Sequence, residues 1–375
     1  MRDVRALVLR DVESGPELVG VRVDDPGPGE VLVRVEASGI CGSDLHFLHG
    51  RSNVSFLPAI VGHEGAGTVV EVGPGVTGLR PGDRVVVAMS SACGACDPCA
   101  RGQLHLCTAP ERTLNIQGRM TDGRSRFHLG DSDVFPFVGC GTVAEYVVAS
   151  ERRLVKVPDG VPIEAAAVAA CGVLTGLGAV FNIAQPPAGA TALVVGCGGV
   201  GLSVIQGCRI SGAARIVAVD TNPARIDAAK RVGATDVIDA SAAGDSLPEA
   251  VRSLVPDGVD CAFEVVGRPE LVPAAFGALR PGGTCVAVAS YPPGSTIGLA
   301  AGDLFWDRTL RGCIAGNSVA RHDLPRIFDL YLTGALDLEP LTARTWRLDE
   351  VHEAIGASER GEVPRAVVTF EGAGA

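Results

Sequence analysis

The sequence predicts an α/β protein in which a β-rich domain precedes a doubly wound parallel sheet. Three observations carry this expectation. Residues 5 to about 90 form short β-branched runs split by Gly/Pro turns. Residues 191–220 run from an apolar strand through a glycine turn into a helix and out to a second apolar strand, one βαβ unit. Strands and helices then keep alternating to roughly residue 315. At 375 residues the chain exceeds the ~250–300 that one hydrophobic core spans, so two domains are expected.

In chain order, ALVLRDV, ELVGVRV, EVLVRVEASGI, GAGTVVEVG and DRVVVAM read as strands, with DPGPGE and LRPGD as the turns between them. Residues 93–140 hold four closely spaced cysteines and then a polar stretch with no sustained periodicity, which reads as a long excursion. PIEAAAVAACGVLTGLGAVFNIA is alanine-rich and suited to helix. The last segment contains helices and a final strand that rejoins the first domain. The expected boundaries are 1–175, 176–316 and a returning 317–375.

The formal charge is −11 and Lys156 and Lys230 are the sole lysines, so no polycationic face suits nucleic acid. The first thirteen residues carry charges throughout and lack a signal-peptide core. The longest apolar runs are glycine-broken, so neither secretion nor a membrane partner is expected. Twelve cysteines in such a chain are expected to stay reduced in the cytoplasm, as metal ligands or small buried groups.

Cys93, Cys96, Cys99 and Cys107 place four thiolates within fifteen residues, with Gly94, Pro98 and Gly102 letting the chain curl. Such a set closes a tetrahedral structural zinc site. A dispersed set comprises Cys41 and Asp44 in GICGSDLH, His63 and Glu64 in GHEGAG, and Cys171 in ACGVLTG. Two thiolates and an imidazole would leave a fourth position open, the pattern of a catalytic zinc, although each residue taken alone reads equally as a satisfied core residue.

Gly196, Gly198, Gly199, Val200 and Gly201 follow an apolar strand and open a helix, where glycines permit a tight turn and close approach of a pyrophosphate to the helix N-terminus. Asp220 ends the next strand, nineteen residues after Gly201, where a carboxylate accepts from an adenosine ribose. A 2′-phosphate would meet like charge there, so the expected cofactor is NAD, not NADP.

Through GICGSDLH, GHEGAG, PGDRV, the four-cysteine loop, ACGVLTG, GCGGVG and AVVTF, in order, the chain resembles the zinc alcohol dehydrogenases of the medium-chain dehydrogenase/reductase family. The resemblance implies a β-rich GroES-like catalytic domain plus a doubly wound parallel-sheet Rossmann domain. It implies two zinc ions per subunit, one held by Cys41, His63 and Cys171 and one by the four-cysteine loop. Asp44 matches the carboxylate that orients the zinc-bound imidazole. Glu64 matches a residue that approaches the metal in some members, with an arginine-paired or solvated carboxylate as the other reading. Ser43 and His46 match a proton relay from the alcohol to solvent by way of the cofactor ribose, and Met89, Phe137 and Val138 match the substrate-pocket lining. Arg225, Thr175, Arg268 and Arg365 match cofactor contacts, whereas Gly42 departs from the basic residue many relatives carry there.

The long excursion resembles the subgroup of animal and plant alcohol dehydrogenases and thiol-dependent formaldehyde dehydrogenases, which is typically dimeric. The expected reaction is hydride transfer between NAD and a primary aliphatic or aromatic alcohol or its aldehyde. The alternatives are oxidation of a thiol adduct of formaldehyde, with Arg112 and Arg119 offered to the thiol's acidic groups, and a non-catalytic zinc-stabilised scaffold.

Overall fold

The computed structural model describes residues 1–52, 56–89, 91–241 and 246–370, in two compact units. The first comprises Met1–Cys171, Val319–Gly334 and Leu341–Ala375; the second comprises Gly172–Ser318 and Ala335–Pro340. Residues 172–175 and 335–340 thus group with the second unit, where the sequence reading expected boundaries of 1–175, 176–316 and 317–375. For 335–340 the reason is a pair of reciprocal bonds: the Gln206 amide donates to the Asp337 carbonyl at 2.8 Å and accepts from the Asp337 N–H at 2.7 Å.

Two β layers build the first unit. Strands Arg2–Leu9, Pro16–Val23, Phe127–Leu129, Ser132–Pro136 and Ala59–Ile60 close into a small barrel. The second layer runs Leu154–Lys156, Arg84–Val87, Glu64–Val72, Glu30–Ile40, Ala366–Thr369 and Thr345–Arg347, with Tyr146–Ser150 also paired to Glu30–Ile40. The late strand Ala366–Thr369 lies antiparallel to Glu30–Ile40, pairing Ala366 with Ile40. Val and Leu side chains of both layers share one core, which includes Leu7, Leu32, Val33, Phe127 and Val368.

Residues 93–140 are more ordered than their polar sequence suggests. They contain helices Asp97–Ala100 and Pro110–Ile116, and their strands Phe127–Leu129 and Ser132–Pro136 complete the barrel. These strands have three and five residues, too short for alternation to stand out from the surrounding turns.

The second unit holds a six-stranded parallel sheet. Its strands, numbered within the unit, run 3-2-1-4-5-6, from Asp236–Asp239 through Arg215–Asp220, Thr191–Val195, Val259–Glu264 and Leu279–Ala287 to Thr309–Gly312. That is the doubly wound order, reversing between the first and fourth strands. Among the described residues, helix Ile163–Ala184 is the one long and apolar enough to span a membrane, and 83% of its most apolar window is buried, as in a core helix.

Gly67 lies on strand Glu64–Val72 with no room for a side chain, since a Cβ there would fall 1.9 Å from the Arg34 carbonyl oxygen of strand Glu30–Ile40. Gly67→Ala should therefore lower stability by about 1–3 kcal/mol, through overpacking against backbone that cannot yield. Thermal unfolding reads this, and an unchanged midpoint would show that the strands separate freely.

Candidate active site and nucleotide cradle

Strand Glu30–Ile40 delivers the chain to Cys41, which starts helix Gly42–Leu48 in extended conformation (φ −93°, ψ 159°). Asp44, at the third helical position, reaches back so that its Oδ2 accepts the Cys41 N–H at 2.8 Å, satisfying a donor that a helix start leaves unpaired. Its Oδ1 lies 2.9 Å from His63 Nδ1. A carboxylate accepts only, so Nδ1 carries the proton and Nε2 is left as a ligand atom. His63 precedes strand Glu64–Val72, and Cys171 lies in a π-helical turn, Ala169–Val173, within the long helix. Such turns recur at functional sites because the wider ring displaces one side chain from the regular helical ladder.

Ligand atoms of Cys41, His63, Glu64 and Cys171 all lie within 4.8 Å of one another. Cys41, His63 and Glu64 are buried, at 6%, 1% and 0% exposure. The Cys41 thiol is held well below its usual range, chiefly by the Cys171 thiol, while Cys171 is driven well above it by the same contact. Burial opposes charge on His63, yet Asp44 and Cys171 raise it well above its ordinary value. Burial pushes Glu64 up to about 8 against the pull of Arg365. Arg365 Nε lies 3.4 Å from Glu64 Oε2, and its Nη1 donates to the Ile40 carbonyl at 3.3 Å. Two thiols, an imidazole and a carboxylate this close, without bulk water, suit a divalent cation of borderline softness, which is zinc.

Cys93, Cys96, Cys99 and Cys107 form the second such cluster. Backbone N–H groups already serve its sulfurs: Cys96 N–H meets Cys93 Sγ at 3.2 Å, and Thr108 N–H meets Cys96 Sγ at 3.4 Å. The Thr108 N–H foremost lowers Cys96 to about 5, whereas burial raises Cys99 to about 12. Four thiolates in this space need a cation to balance them, and Gly94 (φ 78°) and Gly102 (φ 77°) supply the left-handed turns that converge them. None of the twelve cysteines is paired in a disulfide.

Ser43 and His46 lie three residues apart on helix Gly42–Leu48, hence on one face, and both are half-buried. Burial and the nearby Arg51 hold His46 below its usual 6.5. The Phe137 ring stacks on Phe47 at 4.3 Å and meets His63 edge-on at 5.7 Å. Met89 and Val138 are partly buried on the core beneath. Arg112 and Arg119 are committed to the fold: Arg112 donates to the carbonyls of His105 and Cys107, and Arg119 donates to the Gly123 carbonyl and lies over the Phe135 ring.

In the second unit, the glycine turn shows why its residues are small. A Cβ on Gly201 would fall 1.9 Å from the Gly196 carbonyl, and Gly196 itself adopts φ 102°. A Cβ on Gly198 would meet nothing, so the space at the start of helix Gly199–Ile210 is open. Asp220 Oδ2 accepts the Cys197 N–H at 2.7 Å, and its Oδ1 accepts from Thr221 and Asn222, which orients the carboxylate while leaving lone pairs spare. Arg225 is half-buried and its Nε has no hydrogen-bond partner. Thr175 is buried on helix Leu174–Gly178, and Arg268 is exposed. The open cradle, the oriented carboxylate and the unpartnered Arg225 Nε fit a dinucleotide.

Three residues escaped the sequence reading. Glu264 ends a buried strand as Asp220 does, and its Oε1 accepts the N–H groups of Val266 and Gly267 at 2.9 Å while Oε2 receives the Tyr291 hydroxyl at 2.6 Å. It shapes the turn whose Val266 packs on Gly196. A charged residue closing an apolar strand was the available signal. Arg153 and Cys140, which meet at 2.9 Å, had none, because an arginine in a charged turn and a cysteine between glycines look ordinary.

The β-rich unit with two sulfur-bearing metal sets and the doubly wound unit with its glycine cradle define a zinc-dependent nucleotide-linked dehydrogenase. Residues 27–159 match the alcohol dehydrogenase GroES-like domain, and residues 199–333 match the zinc-binding dehydrogenase domain. An S-(hydroxymethyl)glutathione dehydrogenase of Escherichia coli O157:H7 is 36% identical over 355 residues, 94% of this chain and 96% of the relative. The crystal structure of benzyl alcohol dehydrogenase from Acinetobacter calcoaceticus superposes with a TM-score of 0.91 at 29% identity, covering 99% of this chain and all of that one. An alcohol dehydrogenase zinc-binding domain protein from Burkholderia ambifaria does so at 0.91 and 32% identity, covering 98% and 99%. The chain belongs to the zinc-dependent alcohol dehydrogenases of the medium-chain dehydrogenase/reductase family and is an oxidoreductase.

Asp44→Asn keeps the shape of the side chain but removes its charge from His63. Zinc affinity at the Cys41 cluster should fall about 10–100-fold, as read by competition with a chelator. Unchanged affinity would mean that the imidazole is oriented by packing alone.

Proposed function

We propose that this protein oxidises primary aliphatic or aromatic alcohols to aldehydes with NAD, and runs the reverse reduction, at the Cys41–His63–Cys171 cluster. The observation that carries the reading is that cluster itself: three donors of catalytic-zinc type gathered in a buried site, with Asp44 presenting the imidazole. Cys41, His63 and Cys171 would hold the zinc, and the Cys93–Cys107 loop the structural zinc. The bound metal would supply Lewis acidity toward the alcohol oxygen and NAD the hydride acceptor.

The chain's own groups have definable tasks. Ser43 accepts the alcohol proton, and His46, on the same helical face, passes it to solvent. The depressed His46 keeps its ring neutral at neutral pH and able to accept. Phe137, with Met89 and Val138, offers an apolar wall that orients the substrate and excludes water. Arg365 offsets the negative charge that the two thiolates bring together beside Glu64. In the second unit, Gly196–Gly201 receive the pyrophosphate and Asp220 the adenosine ribose, with Arg225, Thr175 and Arg268 as further contacts; Arg365, in the first unit, is proposed as another. Asp220 favours NAD by repelling a 2′-phosphate.

A second reading, oxidation of a thiol adduct of formaldehyde, is favoured by the name of the Escherichia coli relative. Against it, Arg112 and Arg119 are engaged within the fold. Twelve thiols without disulfides fit a cytoplasmic location. A homodimer is supported by strand Thr309–Gly312, which ends its sheet beside Phe305 and Trp306, 84% and 56% exposed.

An NADH absorbance screen across alcohols, and formaldehyde with and without a low-molecular-weight thiol, tests the reading. Oxidation of simple alcohols without thiol is expected, and turnover only in its presence would replace it with the second. Cys41→Ser and His63→Ala should abolish NADH formation while circular dichroism is retained.

Asp220→Asn should raise kcat/KM with NADP relative to NAD by about tenfold or more, through loss of like-charge repulsion. An unaltered ratio would assign the preference to another residue. Alcohol oxidation should decline as pH falls through a pKa below 6.5, where His46 becomes protonated, and that limb should vanish in His46→Ala.

A further inference from the structure

Among the described residues, Arg153 is the largest fully buried side chain, at 1% exposure. Among the described residues no carboxylate pairs with it, an unusual state for an interior cation, since desolvation is costly unless its donors are satisfied. Each of its three nitrogens has an acceptor: Nε donates to the Ala88 carbonyl at 2.9 Å, Nη1 to the Gly139 carbonyl at 2.6 Å, and Nη2 to Cys140 Sγ at 2.9 Å. The Ala88 N–H returns a bond to the Arg153 carbonyl at 2.8 Å. One guanidinium thus ties together two segments distant in sequence.

Those segments carry the proposed substrate wall. Met89 follows Ala88, while Phe137 and Val138 precede Gly139. Val138 adopts φ 44°, ψ 34°, a left-handed conformation that a β-branched residue holds only when its surroundings impose it. The Cys140 N–H closes the turn on the Phe137 carbonyl at 2.9 Å, and Arg153 fixes the carbonyl immediately after Val138. A Cβ on Gly139 would fall 2.0 Å from the Asn115 carbonyl and 2.7 Å from Arg153 Nη1, so the turn has no slack. Phe137 in turn touches the His63 ring.

We propose that Arg153 is a positioning residue that fixes the Met89 and Phe137–Val138 walls against each other and thereby sets which alcohols the site accepts. Its hydrogen bonds go to Ala88, Gly139 and Cys140 and not to the metal ligands, so it acts through three acceptors held in the planar fork that only an arginine presents. The specificity half of this proposal rests on the alcohol-oxidising reading above, whereas the clamp itself does not.

Arg153→Lys keeps the charge but replaces the fork by a single ammonium, and Cys140→Ala removes one acceptor and leaves the other two. Both variants should retain two zinc ions by elemental analysis. Hydrogen exchange at the Ala88 and Cys140 amides should accelerate in Arg153→Lys and less so in Cys140→Ala. The ratio of kcat/KM for benzyl alcohol over ethanol should change by about tenfold or more in Arg153→Lys, in the range by which pocket shape discriminates substrates, and in the same direction by less in Cys140→Ala. Unchanged exchange at both amides in the two variants would overturn the clamp. Faster exchange with an equal loss on every alcohol would overturn the role in selection and leave Arg153 a stabilising residue. If the unaltered protein oxidises no alcohol, the functional reading fails, while the exchange measurement still decides the clamp.

Discussion

The two hydrogen bonds of the Asp44 carboxylate are the constraint on which the metal site depends. One oxygen caps the helix that begins at Cys41, and the other fixes the His63 ring. A single side chain therefore sets the start of a helix, the direction of a thiol and the tautomer of an imidazole. Because Asp44 is wholly buried, both bonds act at low dielectric, where geometry is stiff and an unmet acceptor would be costly. Ser43 and His46 inherit their placement from the same short helix.

Around this anchor, the first unit assembles ligands from segments more than a hundred residues apart. Cys41 leaves one strand, His63 enters another, and Cys171 lies in a π-helical turn of an alanine-rich, mostly apolar helix. Glu64 and Arg365 lie buried against each other at the same place, and strand Ala366–Thr369 brings Arg365 there by pairing with Glu30–Ile40. The returning C-terminal segment is thus part of the site's electrostatics. On the far side of His63, Phe137 gives the metal cluster an apolar neighbour, and its turn is held from behind by a guanidinium.

The second unit solves a different problem, bringing bare backbone to a negatively charged ligand. Gly196 and Gly201 are required by close approach, and Gly198 leaves room in front of the helix start. Two carboxylates, at the ends of the strands flanking Thr191–Val195, orient the surroundings: Asp220 through the N–H groups of Cys197, Thr221 and Asn222, and Glu264 through the turn that packs on Gly196. Both carboxylates accept several backbone N–H groups, a use of charge that fixes loops more firmly than neutral side chains can.

The sequence by itself determined the two-part α/β architecture, the four-cysteine loop and the glycine turn with Asp220. Each of these is encoded locally, in periodicity, spacing or the steric demands of glycine. The strands at Phe127–Leu129 and Ser132–Pro136 were illegible because three to five residues show no period, and only their barrel partners make them strands. Residues 335–340 joined the second unit through Gln206, a partner 131 positions away. Tertiary structure alone decided that Arg112 and Arg119 serve the fold, that Glu64 meets Arg365, and that Arg153 is buried. Whether a charged side chain faces water or an interior acceptor depends on what the rest of the chain packs against it, and no neighbouring residue in sequence reports that.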